Sequence, residues 1–416
     1  MTPSSPPPVP PPIPPLRLGP RPLPLHLTAA AMGYMTSNAA LPLLRQDLLR
    51  WSPVLGPAAD ALRQSLAKAD AEALAVAVER EGRRRLDAFL TGVERYRCHP
   101  YRRDIESPPA VWTSGTTALY DYGHGAAGAV PVLLVPSLIN RAYILDLSAR
   151  RSFAHWLAAN GFWPFLVDWG APAAVERTFT LTDYVAGRLE PALETVLSLT
   201  GERPLLLGYC MGGLLAVALA QRRAAALRGL ALLATPWDFH AERPDQAASL
   251  AAVAAAMEWL LASLGELPVD IIQALFASLD PVLAERKFCA FAALGPETDA
   301  AQDFVALEDW LNDGVPLSAP VARECLSGWY GGNAPALGAW RVDGDVVDPA
   351  RIGLASLVVI PSHDRIVPPE SAEALGRSLP DATVIRPDVG HIGMMVSRGV
   401  ETALWPRIAD WIRGCA

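Results

Sequence analysis

The sequence is poor in cysteine and lacks the motifs of a metal site. Its 416 residues include five cysteines, which are widely spaced and form no Cys-x-x-Cys pair. Zinc sites need closely spaced Cys and His ligands, and disulfide frameworks belong to small secreted domains. We therefore expect no metal, no resident cofactor, no disulfide framework and a cytoplasmic location.

Charge and hydrophobicity argue against two further classes of partner. Lys and Arg number 35 against 43 Asp and Glu, the net charge is −8 and no basic run is present, so we expect no nucleic-acid binding. The most apolar stretch, residues 247–264, is interrupted by Glu258. We interpret it as a packed or surface helix rather than a transmembrane segment. The N-terminal stretch has no apolar core, so we expect it not to be a secretory signal.

Changes in composition along the chain predict its organisation. Proline supplies 12 of the first 25 residues, which favours extended polyproline conformations. Hydrophobic residues make up 51% of the chain, enough for a sizeable core. We predict a largely disordered segment at residues 1–56, a helical accessory region at 57–110, a core of 111–235 and 341–416, and a helical cap insertion at 236–340.

The core region alternates strands with helices. Short apolar runs predict strands at residues 131–135, 162–168, 204–208, 230–234, 354–361 and 382–386. Helical patterns lie between them at residues 151–160, 182–199 and 212–222. This alternation is typical of an α/β fold whose mainly parallel sheet is covered by helices on both faces.

The stretch around Cys210 carries the strongest functional signal. A strand, a tight turn and a helix follow one another in Leu-Leu-Leu-Gly-Tyr-Cys-Met-Gly-Gly (205–213). The turn has the Gly-x-nucleophile-x-Gly spacing of a nucleophile elbow, with Cys in the place of Ser. We predict that Cys210 is the nucleophile, because the adjacent helix N-terminus favours a thiolate and a developing oxyanion. The less favoured interpretation is a buried Cys in a glycine-rich packing turn.

The partners of the nucleophile are expected later in the chain, the acid first and the histidine second. Asp364 comes just after one predicted strand, and His391 follows the next strand in a loop containing two glycines. We predict that His391 is the base and that Asp364 orients it. His363 is a weaker candidate for the base, because it adjoins the presumed acid.

Two backbone amides are expected to bind an oxyanion. One belongs to Met211, directly after the nucleophile. The other is expected in the loop after the first core strand, from Leu138 or Ile139. This second assignment follows from the expected topology alone.

Four stretches resemble signatures of the polyhydroxyalkanoate synthase family. They are Pro-Ser-Leu-Ile-Asn-Arg-Ala-Tyr-Ile-Leu-Asp-Leu (136–147), Val-Asp-Trp-Gly (167–170), Gly-Tyr-Cys-Met-Gly-Gly (208–213) and Gly-His-Ile-Gly-Met-Met (390–395). The third resembles the family's lipase-like box, in which cysteine replaces serine. Trp-Tyr-Gly-Gly-Asn (329–333) is a weaker echo. The resemblance covers about residues 111–411 and implies an α/β-hydrolase fold.

The resemblance implies an acyltransferase that polymerises (R)-3-hydroxyacyl-CoA thioesters. It implies that Cys210 attacks the thioester and holds the acyl chain, and that His391 removes the thiol proton. It further implies that Asp364 orients His391 or helps to activate the incoming 3-hydroxyl. Family signatures without an assigned chemical role are matched at Asn140, Asp168 and Trp169. The implied partners are hydroxyacyl-CoA, growing polyester and either a second copy of the chain or a second synthase subunit, at the surface of polyester granules.

Two other functions are compatible with the same residues. A hydrolase, either a thioesterase or an esterase, would use the same Cys-His-Asp set, and only the additional signatures favour the synthase. A non-catalytic granule-surface protein is the third interpretation, which the intact site residues disfavour. The sequence also departs from the family pattern, because many members have His directly after the acid and this chain has Arg365.

Overall fold

A computed structural model of the protein describes residues 17–46, 48–51, 55–123, 128–242 and 244–415. The α-helices are α1 (Leu23–Arg45), α2 (Gly56–Lys68), α3 (Ala71–Cys98), α4 (Phe153–Ala159), α5 (Leu181–Tyr184), α6 (Glu190–Thr200), α7 (Met211–Arg223), α8 (Pro244–Ala256), α9 (Glu258–Leu264), α10 (Val269–Ala277), α11 (Leu283–Ala292), α12 (Asp299–Asn312), α13 (Ala319–Arg323), α14 (Pro369–Ser378), α15 (Gly393–Val396), α16 (Val400–Ala403) and α17 (Trp405–Gly414).

The β-strands are β1 (Ala110–Ser114), β2 (Thr117–Asp121), β3 (Val130–Val135), β4 (Asp146–Ser148), β5 (Arg151–Ser152), β6 (Phe162–Asp168), β7 (Leu205–Tyr209), β8 (Gly229–Leu233), β9 (Glu266–Leu267), β10 (Leu317–Ser318), β11 (Arg341–Val342), β12 (Asp345–Val346), β13 (Ala355–Val359) and β14 (Thr383–Ile385). Short 3₁₀ segments are Ala142–Leu145, Glu176–Thr178, Ala224–Ala226 and Pro349–Arg351, and π segments are Val185–Leu189 and Glu324–Gly331.

The chain divides into two compact units, and the division differs from the predicted one. The first unit comprises Met1–Arg102 and Asp280–Asn312, and the second comprises Arg103–Leu279 and Asp313–Ala416. Residues 280–312, which we had expected in the cap, therefore belong with the N-terminal helices. An amphipathic helix can cover any apolar surface, so its sequence does not say which core it packs against.

Aromatic packing explains why residues 280–312 join the first unit. Phe288 of α11 is fully buried and meets the rings of Phe89 and Tyr96 of α3 edge-on, at centroid distances of 6.1 and 5.7 Å. Edge-to-face pairs at these distances are stabilising beyond the apolar area they bury. Together with Phe291 and Val305, these side chains form a core of their own.

The expectation for residues 1–56 is wrong in part, because Leu23–Arg45 forms helix α1. The proline density ends near residue 25, and the following stretch is rich in Ala, Leu and Met, which are strong helix formers. Pro24 lies in the first turn, where its missing N–H costs nothing. Residues 1–16, which carry nine of the 12 prolines in the first 25 residues, lie outside the described residues.

The second unit is built on a mainly parallel sheet, as the sequence predicted. Its eight strands, all within the described residues, follow the order β1-β2-β6-β3-β7-β8-β13-β14. Neighbours from β6 to β14 pair in parallel, whereas β2 runs antiparallel to β1 and β6. The six predicted strands are all confirmed. The β1–β2 hairpin was not predicted, because β1 is largely exposed and has no apolar run.

The direction of chain progression reverses at β3. From β3 the chain moves to β6 on one side, then crosses back to β7 and continues to β8, β13 and β14 on the other. Parallel crossovers are right-handed, so α4 lies on the opposite face of the sheet from α6, α7 and α14. Sites in such sheets lie at the carboxyl ends of the strands beside the point of reversal.

The carboxyl ends of the later strands meet at one edge of the sheet. Tyr209 at the end of β7 pairs with Leu233 of β8. Leu233 pairs with Val359 of β13, and Val359 pairs with Ile385 of β14. The predicted nucleophile, acid and base follow β7, β13 and β14, so the register brings three distant segments of sequence to the same edge.

Between β8 and β13 the second unit carries α8, α9, α10, α13 and the short pair β9–β10. Buried side chains from this part, such as Leu261, Ile272 and Leu326, join the same apolar core as the sheet. Within the described ranges, no single helix is long and apolar enough to cross a membrane. Ala247–Ala256 and Glu258–Leu264 meet that criterion only as a pair, across a 54° bend.

Helix α7 lies very close to the end of β3. A Cβ atom at Gly212 would overlap the carbonyl oxygens of Val135 and Pro136, and one at Gly213 would overlap the side chain of Thr235. These contacts are with backbone or with a buried side chain, which cannot move aside cheaply. Glycine at both positions is therefore what lets the helix start directly beside the sheet edge.

We predict that Gly212→Ala destabilises the protein and that Gly187→Ala does not. The first change forces a methyl group into the backbone of β3, and overpacking of this kind costs about 1–3 kcal/mol. Gly187 lies in the π segment Val185–Leu189, and a Cβ atom there would meet nothing within 4 Å. Replacing a helical glycine there should leave stability unchanged or raise it by about 0.5 kcal/mol. Urea unfolding of both variants measures the difference, and equal stabilities would contradict the close approach.

Candidate active site

Cys210 occupies a strained turn between β7 and α7. Its backbone angles are φ 55° and ψ −128°, a region that residues other than glycine rarely adopt. The amide of Cys210 donates to Leu233 O at 2.8 Å, and its carbonyl accepts from Gly213 N at 2.9 Å. These bonds fix the turn from both sides. The side chain therefore lies at the N-terminus of a helix of 13 residues, whose dipole stabilises negative charge.

Asp364 and His391 form a buried pair beside this turn. Asp364 Oδ2 lies 2.7 Å from His391 Nδ1, and the two side chains are 1% and 6% exposed. The other carboxylate oxygen of Asp364 accepts the amides of Ile366 and Val367, both at 2.9 Å. Because every contact of the carboxylate is fixed, it holds the imidazole in one orientation, with Nε2 left for a second partner.

The pKa of His391 depends on Cys210 as well as on Asp364. Burial by itself would lower the pKa of His391, but negative charge on Cys210 and hydrogen bonds to Asp364 and Cys210 raise that pKa to about 10. The imidazole therefore lies within hydrogen-bond reach of the Cys210 thiol and prefers to be protonated when that sulfur is anionic. This is the arrangement that a cysteine nucleophile and its base require.

Tyr209 contacts His391 through both its ring and its hydroxyl group. It is buried, its ring centroid lies 5.4 Å from that of His391, and its hydroxyl donates to His391 O at 3.3 Å. Burial, with the nearby charges of Cys210 and Asp364, raises the pKa of Tyr209 well above its ordinary value. The phenol therefore stays a neutral donor. The sequence did not single out Tyr209, because the residue before the nucleophile is unspecified in the Gly-x-nucleophile-x-Gly pattern.

The amides proposed as oxyanion donors differ in their hydrogen bonding. Met211 is the first residue of α7, where helix geometry leaves the amide without an intrahelical acceptor. The amide of Ile139 donates to Ser137 Oγ at 3.1 Å within a local turn, and Ile139 lines the cavity beside Cys210. Leu138 and Ile139 both stay candidates for the second donor.

Residues of the family signatures surround the site without entering it. Trp169 is buried and its Nε1 donates to Pro136 O at 3.0 Å, while Asp168 Oδ1 accepts the amide of Gly170 at 3.0 Å. Asn140 forms an isolated antiparallel bridge with Gly314. All three signature residues therefore organise the two loops that follow β3 and β6.

The alternative base and the other cysteines lie in different surroundings. The side chain of His363 is 71% exposed and lies 2.7 Å from Asp388, which is 90% exposed. Cys325 is buried, and burial with the charge of Glu324 raises the pKa of its thiol well above the ordinary value. A thiol of this kind is inert. Among the described residues, no group of three or more His, Cys, Asp or Glu could hold a metal ion.

A cavity of about 150 Å³ opens beside Cys210. It is enclosed by the residues after β8, by α8 and α10 and by the π segment Glu324–Gly331. Most lining side chains are apolar, among them Ile139, Leu214, Leu250, Phe239, Leu275, Phe276, Leu326 and Trp329. Tyr330 contributes a phenol to the lining, and burial with the charges of Cys210 and Cys325 raises its pKa, which keeps it protonated.

Comparison with known proteins identifies the family. Residues 130–397 match the sequence model of the family described as alpha/beta hydrolase fold. The chain is 30% identical to the poly(3-hydroxyalkanoate) polymerase subunit PhaC of Synechocystis sp., over 68% of this chain and 77% of that protein. It belongs to the poly(3-hydroxyalkanoate) polymerase family of the α/β-hydrolase superfamily. The family expected from the sequence is thus confirmed.

Other members of this polymerase family give the same match. PhaC subunits of Haloferax mediterranei and Allochromatium vinosum are 32% and 29% identical to this chain, over 68% and 74% of its length. The match covers 58% of the Haloferax protein and 88% of the Allochromatium protein. A polymerase of this family is an acyltransferase, because it joins hydroxyacyl units through ester bonds.

We predict that His391 makes stability depend on pH in the alkaline range. Its pKa is raised from 6.5 to about 10 in the folded protein, so the protonated imidazole stabilises the fold. This contribution is present in full below pH 6.5 and is lost as the pH rises to about 10. The difference in free energy of unfolding between wild type and His391→Gln should therefore shrink over that range, measured by urea unfolding. A difference independent of pH would contradict the assignment.

Proposed function

We propose that this protein is a polyhydroxyalkanoate synthase that transfers hydroxyacyl groups from CoA thioesters through an acyl intermediate on Cys210. The observation that carries the proposal is the strained turn of Cys210 beside the buried His391–Asp364 pair, opening on an apolar cavity. Membership of the polymerase family supports the hydroxyl group of a second hydroxyacyl unit, rather than water, as the acceptor of the acyl group.

Each chemical step has a group in position to perform it. The sulfur of Cys210 attacks the thioester carbonyl carbon, the C–S bond to CoA breaks, and His391 supplies a proton to the departing CoA thiolate. The 3-hydroxyl of the next hydroxyacyl group then attacks the acyl-cysteine. His391 accepts its proton, a C–O ester bond forms and Cys210 is released. The amide of Met211 and that of Leu138 or Ile139 would stabilise the oxyanion in both steps.

The cavity fits an acyl chain better than a polar substrate. Two of its polar side chains are engaged within the protein, since Asp238 accepts from Asn333 at 2.8 Å and Ser371 accepts from Trp237 N at 3.1 Å. An alkyl chain in this space would displace water from around the acyl-cysteine. Lower water activity at the thioester favours transfer to an alcohol over hydrolysis.

The proposed reaction also bears on the cofactor, the location and the partner of the enzyme. Thioester exchange and ester formation need only a nucleophile, a base and oxyanion donors, so we propose no resident cofactor. The product is a water-insoluble polyester made from cytoplasmic CoA thioesters, so we propose action in the cytoplasm at the polymer surface. The relatives are named polymerase subunits, which supports a second copy or a second synthase subunit as partner.

The reaction is tested with 3-hydroxybutyryl-CoA, following free thiol and turbidity together. We expect thiol release with insoluble polyester, loss of both in Cys210→Ala, and an acyl adduct on Cys210 in mass spectra of quenched protein. Cys415→Ala, a partly buried cysteine outside the site, is the matched control and should keep full activity. Thiol release with free hydroxy acid alone would assign a hydrolase. Unchanged activity in Cys210→Ala would refute the proposed nucleophile.

The cavity wall predicts the chain-length preference. Phe276→Ala removes most of an aromatic side chain from the lining, and each added methylene in an apolar pocket is worth about 1–3 kcal/mol. We expect the ratio of kcat/KM for 3-hydroxyoctanoyl-CoA over 3-hydroxybutyryl-CoA to rise about tenfold or more. Leu264→Ala, an exposed change in α9, should leave the ratio unchanged. An unaltered ratio in Phe276→Ala would place the acyl chain elsewhere.

A further inference from the structure

Trp169 joins the loop after β6 to the loop after β3. Its side chain is 4% exposed, and its Nε1 donates to Pro136 O at 3.0 Å. Its own carbonyl accepts the hydroxyl of Thr116 at 3.0 Å, and its ring meets Tyr184 edge-on at 5.6 Å. The indole is therefore fixed on several sides, and the hydrogen bond to Pro136 is a rigid tether.

The loop that accepts this hydrogen bond carries the two candidates for the second oxyanion amide, those of Leu138 and Ile139. It comprises residues 136–140, directly after β3, and Pro136 O also lies against Gly212 at the start of α7. The far end of the loop is held separately, because Val315 N donates to Ile139 O at 3.0 Å. Between the two ends, the turn at Ser137 engages the amide of Ile139.

Trp169 does not itself reach the reacting atoms. It is absent from the lining of the cavity beside Cys210 and lies instead against a small void behind the loop, shared with Leu138. Any effect on the reaction must therefore pass through the position of the loop. The peptide unit that carries Pro136 O adjoins the one that carries the Leu138 amide, so the hydrogen bond from Trp169 fixes the start of the loop on which both candidate amides lie.

We propose that Trp169 is a positioning residue that sets the loop after β3, and with it the oxyanion-binding amide of Leu138 or Ile139, through its hydrogen bond to Pro136 O. The inference rests on the proposed function, since it assumes that Cys210 forms an oxyanion-bearing adduct. An oxyanion donor acts only in the transition state, so its displacement lowers kcat and leaves ground-state binding intact. Displacements of about 1 Å can cost about a hundredfold in rate.

The experiment uses a probe whose adduct carries an oxyanion. An alkyl trifluoromethyl ketone adds to the Cys210 thiolate: a C–S bond forms, and the carbonyl π pair moves to oxygen. The matching trifluoromethyl alcohol occupies the same cavity without forming an adduct. Measured by ¹⁹F NMR, Trp169→Phe should weaken ketone binding about tenfold to a hundredfold, leave alcohol binding unchanged, and leave alkylation of Cys210 by iodoacetamide unchanged.

Trp163→Phe is the matched control for this test. Trp163 lies at the other end of the same strand, β6, and its Nε1 donates to Asp121 Oδ1 at 2.7 Å. It should behave like wild type toward ketone and alcohol. If Trp169→Phe does not fold, Thr116→Val, which releases the Trp169 carbonyl, takes its place and should weaken ketone binding by a smaller factor.

The outcomes separate this inference from the function on which it rests. Equal ketone affinity in wild type and a folded Trp169→Phe, or in Thr116→Val where it replaces that variant, would overturn the positioning role and leave the nucleophile intact. Equal loss of ketone and alcohol binding would also overturn it, because that result means general damage to the cavity. Absence of a Cys210 adduct in the wild-type protein would overturn both.

Discussion

The close approach of α7 to the end of β3 is the constraint on which the site depends. Gly212 lies against the carbonyl oxygens of Val135 and Pro136 at the end of β3. Helix α7 can therefore begin directly after β7, with only Cys210 between them. Cys210 must then turn at a positive φ, held by its bond to Leu233 O. The strain at this residue is sustained by the surrounding buried sheet, and it directs the thiol out of the core.

That turn places ionisable side chains beside an apolar cavity. A charged imidazole or carboxylate would be costly to bury alone, but the protonated His391 and the Asp364 carboxylate offset each other's charge and are hydrogen-bonded to each other. The Asp364 carboxylate is fully engaged by His391 and two backbone amides. The neighbouring cavity is lined mainly by apolar side chains, which strengthens these interactions by excluding water.

Sequence patterns located the three candidate site residues after β7, β13 and β14 because their signals are local. A buried strand, a glycine-flanked cysteine and a helix are all readable within ten residues, and the acid and histidine each follow a strand. The errors concerned long-range packing. Residues 280–312 pack through Phe288 on α3 rather than in the cap, and α1 forms where proline density had suggested disorder. The hydrogen bond from Ile139 N to Ser137 Oγ was not predicted, because a side-chain hydrogen bond within a turn leaves no periodic signal.

The sequence by itself determined the fold class, the strand positions, the family and the three residues at the sheet edge, since hydrophobic periodicity and glycine spacing fix local conformation. Only the tertiary structure decided where Trp169 anchors the loop after β3, which tyrosine contacts His391 and which side chains enclose the cavity. These depend on contacts between segments far apart in the chain. Such contacts follow from strand register and crossover direction, which a linear pattern does not encode.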